Sequence, residues 1–154
     1  MTLHSADLPE ALVTEASGAW QHILERAGEP LAGQLSDALA TGPLAAQLVR
    51  VLACSPFISD LARRKPELLL HLVHSGQLLE SMAEPDFRDE LQRLLGEEGA
   101  ELGPVLRRYR QRHMLRIVWR DFCRLADTLE TVRDTSLLAE AAIAEALAHS
   151  RAAL

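Results

Sequence analysis

Prolines stand where segments of this chain open, and glycines stand where they close. Thr41-Gly42-Pro43, Ser55-Pro56, Lys65-Pro66, Pro85 and Pro104 each mark an opening; Gly28, Gly76, Gly96 and Gly99 mark ends. Proline suits the first turn of a helix, because its locked φ is already helical and the N–H it lacks has no partner there. Glycine suits the end, where the chain turns left-handed. This order of breakers predicts helices over 8–27, 31–40, 44–54, 57–64, 67–74, 86–95, 105–127 and 137–153. Asp7 is the expected cap of the first, with Pro9 in its first turn. Ser55 is the expected cap of the fourth, and Asp134 or Thr135 of the last.

Composition agrees with the breakers. There are 29 Leu and 23 Ala against 7 Val and 4 Ile, and aromatic residues make up 4%. Leu and Ala favour helix, whereas β-branched and aromatic residues favour strand. The expectation is an all-α fold, a multi-helix orthogonal or bundle-like array around one long central helix at about 105–127. The 154 residues suit one domain or one segment of a larger protein, and 48% apolar content excludes a disordered chain. No stretch approaches the roughly 20 apolar residues of a membrane span, and Met1–Pro9 has no secretory pattern. Cys54 and Cys123 are too few for a disulfide framework. They are expected as reduced, buried thiols of a cytoplasmic protein with no membrane contact.

Charge is uneven along the chain. Residues 105–124 hold seven arginines against Asp121 alone, a net of +6, which leaves −12 for the rest of a chain whose total is −6. A basic segment in an acidic body does not describe a general nucleic-acid binder. On a helical wheel, Leu106, Tyr109 and His113 share one face, and Met114, Val118, Phe122 and Leu125 share the opposite one. The long helix therefore changes its apolar face halfway and packs against different neighbours at its two ends. Arg116, Arg120 and Arg124 form an i, i+4 stripe that continues the first apolar face. The stripe is either a solvated basic face or a set of arginines at a joint, pairing with carboxylates or presenting guanidinium forks to an anion. Asp121, adjacent to Arg120, is a candidate to orient one of them.

Catalytic signatures are absent from the sequence. There is no Gly-rich phosphate loop, no G-x-G-x-x-G, no G-x-S-x-G, no H-E-x-x-H and no D-x-D pair. His71 and His74, with Glu67 one turn earlier, have helical spacing for a metal but read as a surface pair. His113 reads as a core histidine, and Trp20 and Trp119 as core anchors. No catalytic, cofactor-binding or metal-binding residue is assigned. The candidate interface or ion-pair residues are Arg116, Arg120, Asp121 and Arg124.

Three segments carry a family resemblance. Leu52-Ala53-Cys54-Ser55-Pro56-Phe57 with Leu61-Ala62-Arg63-Arg64-Lys65-Pro66-Glu67-Leu68-Leu69 is the first. Leu106-Arg107-Arg108-Tyr109-Arg110 through Met114-Leu115-Arg116-Ile117-Val118-Trp119-Arg120-Asp121 is the second, and Thr131 to Leu147 the third. In this order and spacing they resemble the bifunctional glutamine synthetase adenylyltransferase/adenylyl-removing family. The resemblance implies a much longer parent with two nucleotidyltransferase domains. It implies ATP and Mg2+ as cofactors of that parent, and glutamine synthetase and the PII signal protein as its partners. Family active sites use a Gly-Ser turn and a D-x-D pair, because metal ions must neutralise charge on the transferring phosphoryl group. Neither motif occurs here. The resemblance therefore implies that residues 1–154 are the helical N-terminal segment of the adenylyl-removing domain, with no catalytic residue of their own. A stand-alone helical interaction module is the alternative, and direct binding of RNA or an anion by the arginine helix is a third reading.

Overall fold

The computed structural model describes residues 8–39 and 42–152, and the expected Asp7 cap and the Ala40–Thr41 connection lie outside the described residues. The described residues form eight helices: α1 (Glu10–Ala27), α2 (Leu31–Ala38), α3 (Pro43–Cys54), α4 (Pro56–Arg64), α5 (Pro66–His74), α6 (Glu84–Leu95), α7 (Leu102–Phe122) and α8 (Thr128–Ala152). Among the described residues there is no strand. The all-α expectation holds.

The breakers act as the sequence leads one to expect in the first two thirds. Pro43, Pro56, Pro66 and Pro85 all sit in first turns. The Ser55 hydroxyl accepts the Ile58 N–H at 3.3 Å, capping α4. At the start of α6, the Asp86 carboxylate reaches back to accept the Ala83 N–H at 2.8 Å. Gly28 and Gly76 take positive φ after α1 and α5.

The last third departs from expectation. The long helix ends at Phe122 rather than near 127. Arg124 adopts φ 55 in the position that glycine usually takes. The Leu125 N–H bonds to the Arg120 carbonyl at 2.8 Å and the Arg124 N–H to the Asp121 carbonyl at 3.0 Å, the paired bonds of a Schellman stop. The last helix then begins at Thr128 rather than 137. Its true cap is Asp127, whose carboxylate accepts the Glu130 N–H at 2.7 Å. Asp134 and Thr135 are interior to α8. Thr135 bonds back to the Thr131 carbonyl, and Asp134 is buried as a counter-ion. Cys54, the last residue of α3, is exposed rather than buried.

Two apolar clusters result. The larger joins Trp20 and Ile23 of α1, Leu35 of α2, Leu48 and Leu52 of α3, Ile58 and Leu61 of α4, Leu68, Leu69 and Leu72 of α5, and Leu115 and Trp119 of α7. The smaller joins Met82, Phe87 and Leu91 around α6 to Tyr109 and Ile117 of α7 and Leu138 and Ala141 of α8. Helix α7 thus contributes to both, which is why its apolar face changes along its length. Trp20 and Trp119 are fully buried anchors of the larger cluster. No single helix among the described residues is long and apolar enough to cross a membrane.

Candidate functional site

The segment from Ser75 to Ala83 connects the two clusters without regular structure of its own. Its carbonyls need partners, and four guanidinium bonds supply them. Arg116 donates through Nε to the Gln77 carbonyl at 2.9 Å and through Nη2 to the Glu80 carbonyl at 2.6 Å. Arg120 donates to the Leu78 carbonyl at 3.1 Å, and Arg133 to the Met82 carbonyl at 3.2 Å. Three arginines therefore stitch one connection to α7 and α8.

The same arginines hold carboxylates. Arg116, 0% exposed, pairs with Asp134 at 2.8 Å; Asp134, 2% exposed, also accepts from Arg133 at 2.7 Å. Arg120 pairs with Glu130 at 2.8 Å and also bonds the Leu125 carbonyl, tying the α7 stop to the α8 start. Burial pulls the Arg116 guanidinium below its ordinary pKa, and the hydrogen bond and charge of Asp134 act against that pull. Each charge removed from water here is both paired and hydrogen-bonded, which is the condition for burying it.

Arg112 and His113 sit one turn earlier on α7. Arg112 pairs with Glu90 of α6 and donates to the Gln77 side chain at 2.7 Å. The His113 Nε2 lies 3.0 Å from the other Glu90 oxygen. Burial pushes the Glu90 carboxyl up, but the His113 hydrogen bond and the charges of His113 and Arg112 outweigh it and hold it below the usual carboxylate range. His113 is packed between Phe87 and Tyr109, with ring centroids 5.1 and 4.5 Å away. The Tyr109 hydroxyl donates to the Phe87 carbonyl at 2.8 Å. Beside Arg112 a cleft of about 560 Å³ opens between α5, the Ser75–Ala83 connection and α6, lined by His71, Glu80, Asp89 and Arg93 among others.

The four arginine-stripe candidates thus separate. Arg116 and Arg120 are buried and paired. Arg124 is exposed and forms the backbone stop. Asp121 is exposed and accepts from the Thr131 hydroxyl at 3.1 Å, so it does not orient Arg120. Sequence reasoning missed Glu90, Glu130 and Asp134 as partners. Asp127 and Glu130 have the three-residue spacing of a helix start, a signal that would have found α8 and placed Asp134 inside it.

Two carboxylates of this network have no oxygen free for a metal ion. Both oxygens of Glu90 and both of Asp134 are taken by guanidinium or imidazole groups. Among the described residues no group of three or more His, Cys, Asp or Glu side chains has metal-binding geometry, and His71 and His74 gain no further ligand. Burial pushes the Cys123 thiol up to about 12, which opposes nucleophilic chemistry there. The arrangement locks helices together.

Residues 45–153 match the family described as glutamate-ammonia ligase adenylyltransferase. Among curated proteins, the chain is 43% identical over 82 residues to the bifunctional glutamine synthetase adenylyltransferase/adenylyl-removing enzyme of Pseudomonas syringae pv. tomato, which covers 52% of this chain and 8% of that enzyme. It is 42% identical over 88 residues to the enzyme of the same name from Pseudomonas aeruginosa, 56% of this chain and 9% of the relative. The enzyme from Nitrosococcus oceani is 44% identical over 87 residues, 55% of this chain and 9% of the relative. The matched segment therefore spans under a tenth of these relatives. No solved structure matches.

Proposed function

Because the chain belongs to the glutamate-ammonia ligase adenylyltransferase family, we propose that it serves as a non-catalytic helical unit of an enzyme that adds AMP to a tyrosine of glutamine synthetase and removes it again. In this reading it packs on the adenylyl-removing nucleotidyltransferase domain and shapes it. One observation carries the reading. The family match over residues 45–153 takes in the partly buried Glu90 and the buried Asp134, each paired with an arginine, so in this reading these carboxylates hold helices together rather than act as acid, base or metal ligand. ATP and Mg2+ then belong to the catalytic domains of the longer polypeptide, as do the contacts that read nitrogen status through PII. The longer enzyme acts in the cytoplasm, where glutamine synthetase is its substrate.

The purified 154-residue chain is expected neither to adenylylate nor to deadenylylate glutamine synthetase, with or without magnesium and phosphate. Release of ADP from adenylylated glutamine synthetase by this chain alone would overturn the reading. The genomic frame is the companion test, since a polypeptide carrying a Gly-Ser turn and a D-x-D pair in addition to these residues supports it. A stand-alone interaction module remains the second reading, favoured by the exposed Leu129, Val132, Ile143 and Leu147 side chains of α8.

A further inference from the structure

Helix α8 is apolar on two sides. Its inner side, with Leu138 and Ala141, packs on α6 and α7. Its outer side carries Leu129, Val132, Ser136, Ala139, Ile143 and Leu147, spaced by three and four residues and all exposed. Leu129 is 80% exposed and Ile143 60%. A helix apolar on both sides is built to be covered on both.

The stripe has relief. Val132 and Ile143 are large, and Ser136 and Ala139 between them are small. The two large side chains are eleven positions apart, about 16 Å at the α-helical rise. Packed helix axes approach to about 8–10 Å, so the dip between these side chains admits one helix crossing over Ser136 and Ala139. Glu140 borders the same dip and is exposed.

A second copy of this chain fits poorly. Antiparallel self-pairing about the middle of the stripe sets Glu140 against Ser136 of the other copy, a polar pair at the centre of the seam. Parallel pairing sets Ser136 and Ala139 against themselves and leaves a gap mid-seam. Six side chains also fall far short of the roughly 20–30 residues per partner in a standard interface. A helix tethered in the same polypeptide escapes that requirement, because its effective concentration is high. The relatives supply such chain, since the matched segment is 8–9% of their length.

We propose that the outer face of α8 is the docking seam for a single helix from the remainder of the enzyme polypeptide, crossing at Ser136 and Ala139 with a large apolar side chain in the dip and a basic one against Glu140. This rests on the reading of the chain as a unit of a longer enzyme.

Cysteine accessibility tests it. Ile143→Cys and, separately, Ala139→Cys are introduced into the 154-residue chain and into the longer enzyme, and maleimide labelling rates are compared. Exposed Cys54 serves as the internal reference. In the short chain both new thiols are expected to label as fast as Cys54 at every protein concentration. In the longer enzyme both are expected to label at least tenfold more slowly relative to Cys54. Protection of less than tenfold overturns the proposal. Protection already present in the short chain and rising with its concentration also overturns it, because a second copy is then the occupant. The adenylylation activities of the same longer enzyme are measured in parallel. Fast labelling in an active enzyme rejects the seam and leaves the functional reading standing. Protection in an enzyme without activity on glutamine synthetase rejects the functional reading and leaves the seam.

Discussion

Arg116 has no water to fall back on. Its three bonds run to Asp134, Gln77 and Glu80, and its side chain is 0% exposed. Truncation leaves one Asp134 oxygen and two carbonyls without their partner, while Arg133 keeps the other oxygen. Arg116→Ala is therefore expected to cost about 3–5 kcal/mol, the range for breaking a buried ion pair on one side. Arg120→Ala, whose partner Glu130 is 18% exposed, is expected to cost about 1–3 kcal/mol. Urea denaturation separates the two; equal losses would mean that burial of the partner does not decide the cost. Glu90 sets the acid limit. Its folded pKa lies below the ordinary 4.5. A carboxyl shifted down favours folding while ionised, so its contribution is full above the unfolded pKa and is lost as pH falls through the folded one. Stability is thus expected to fall below about pH 4.5, and Glu90→Gln to flatten that limb while lowering stability at pH 7. An unchanged acid limb in the variant would assign the loss to other carboxyls.

At the scale of elements, local chemistry and tertiary chemistry part company. Ser55-Pro56 and Lys65-Pro66 were legible because each break acts through neighbours within four residues. The end of α7 was not, because no glycine marks it. Arg124 is held at φ 55 by the Schellman bonds and by the Arg120 guanidinium on the Leu125 carbonyl. The arginine stripe was visible as spacing, and the change of apolar face on α7 placed it at a joint. Its partners were not visible, since Asp134, Glu130 and the Gln77–Glu80 carbonyls come from other elements. Left-handed backbone costs a non-glycine residue about 1–2 kcal/mol. Glycine removes that strain but adds unfolded-chain freedom worth about 0.4–1 kcal/mol. Arg124→Gly is accordingly expected to keep or slightly raise stability, and Arg124→Val to lower it by about 1 kcal/mol or more. Thermal melts of the pair check this, and a stabilising valine would refute the backbone account. Asp127→Ala is expected to cost about 1 kcal/mol as an ordinary cap loss.

The whole molecule is two apolar clusters joined by α7 and by the arginine-stitched Ser75–Ala83 connection. Both tryptophans, Trp20 and Trp119, belong to the larger cluster. Tryptophan fluorescence therefore reports that cluster, while far-UV circular dichroism reports helix content throughout. In the native sequence the network ties α8 and α6 to α7, so the two signals are expected to give one coincident urea transition. Arg116 ties Asp134 of α8 to the connection, whereas Trp20 lies in the larger cluster on α1. Its removal is expected to split the curves. Circular dichroism should begin to fall at lower urea as α6 and α8 open, with fluorescence following at a higher midpoint. Native-state hydrogen exchange on the variant should show the matching order, with α8 amides losing protection before those of α1 and α3. A variant that loses stability with its two curves still superimposed would show the clusters to be coupled through α7 packing itself. The buried arginines would then hold the connection in place without carrying the cooperativity of the fold.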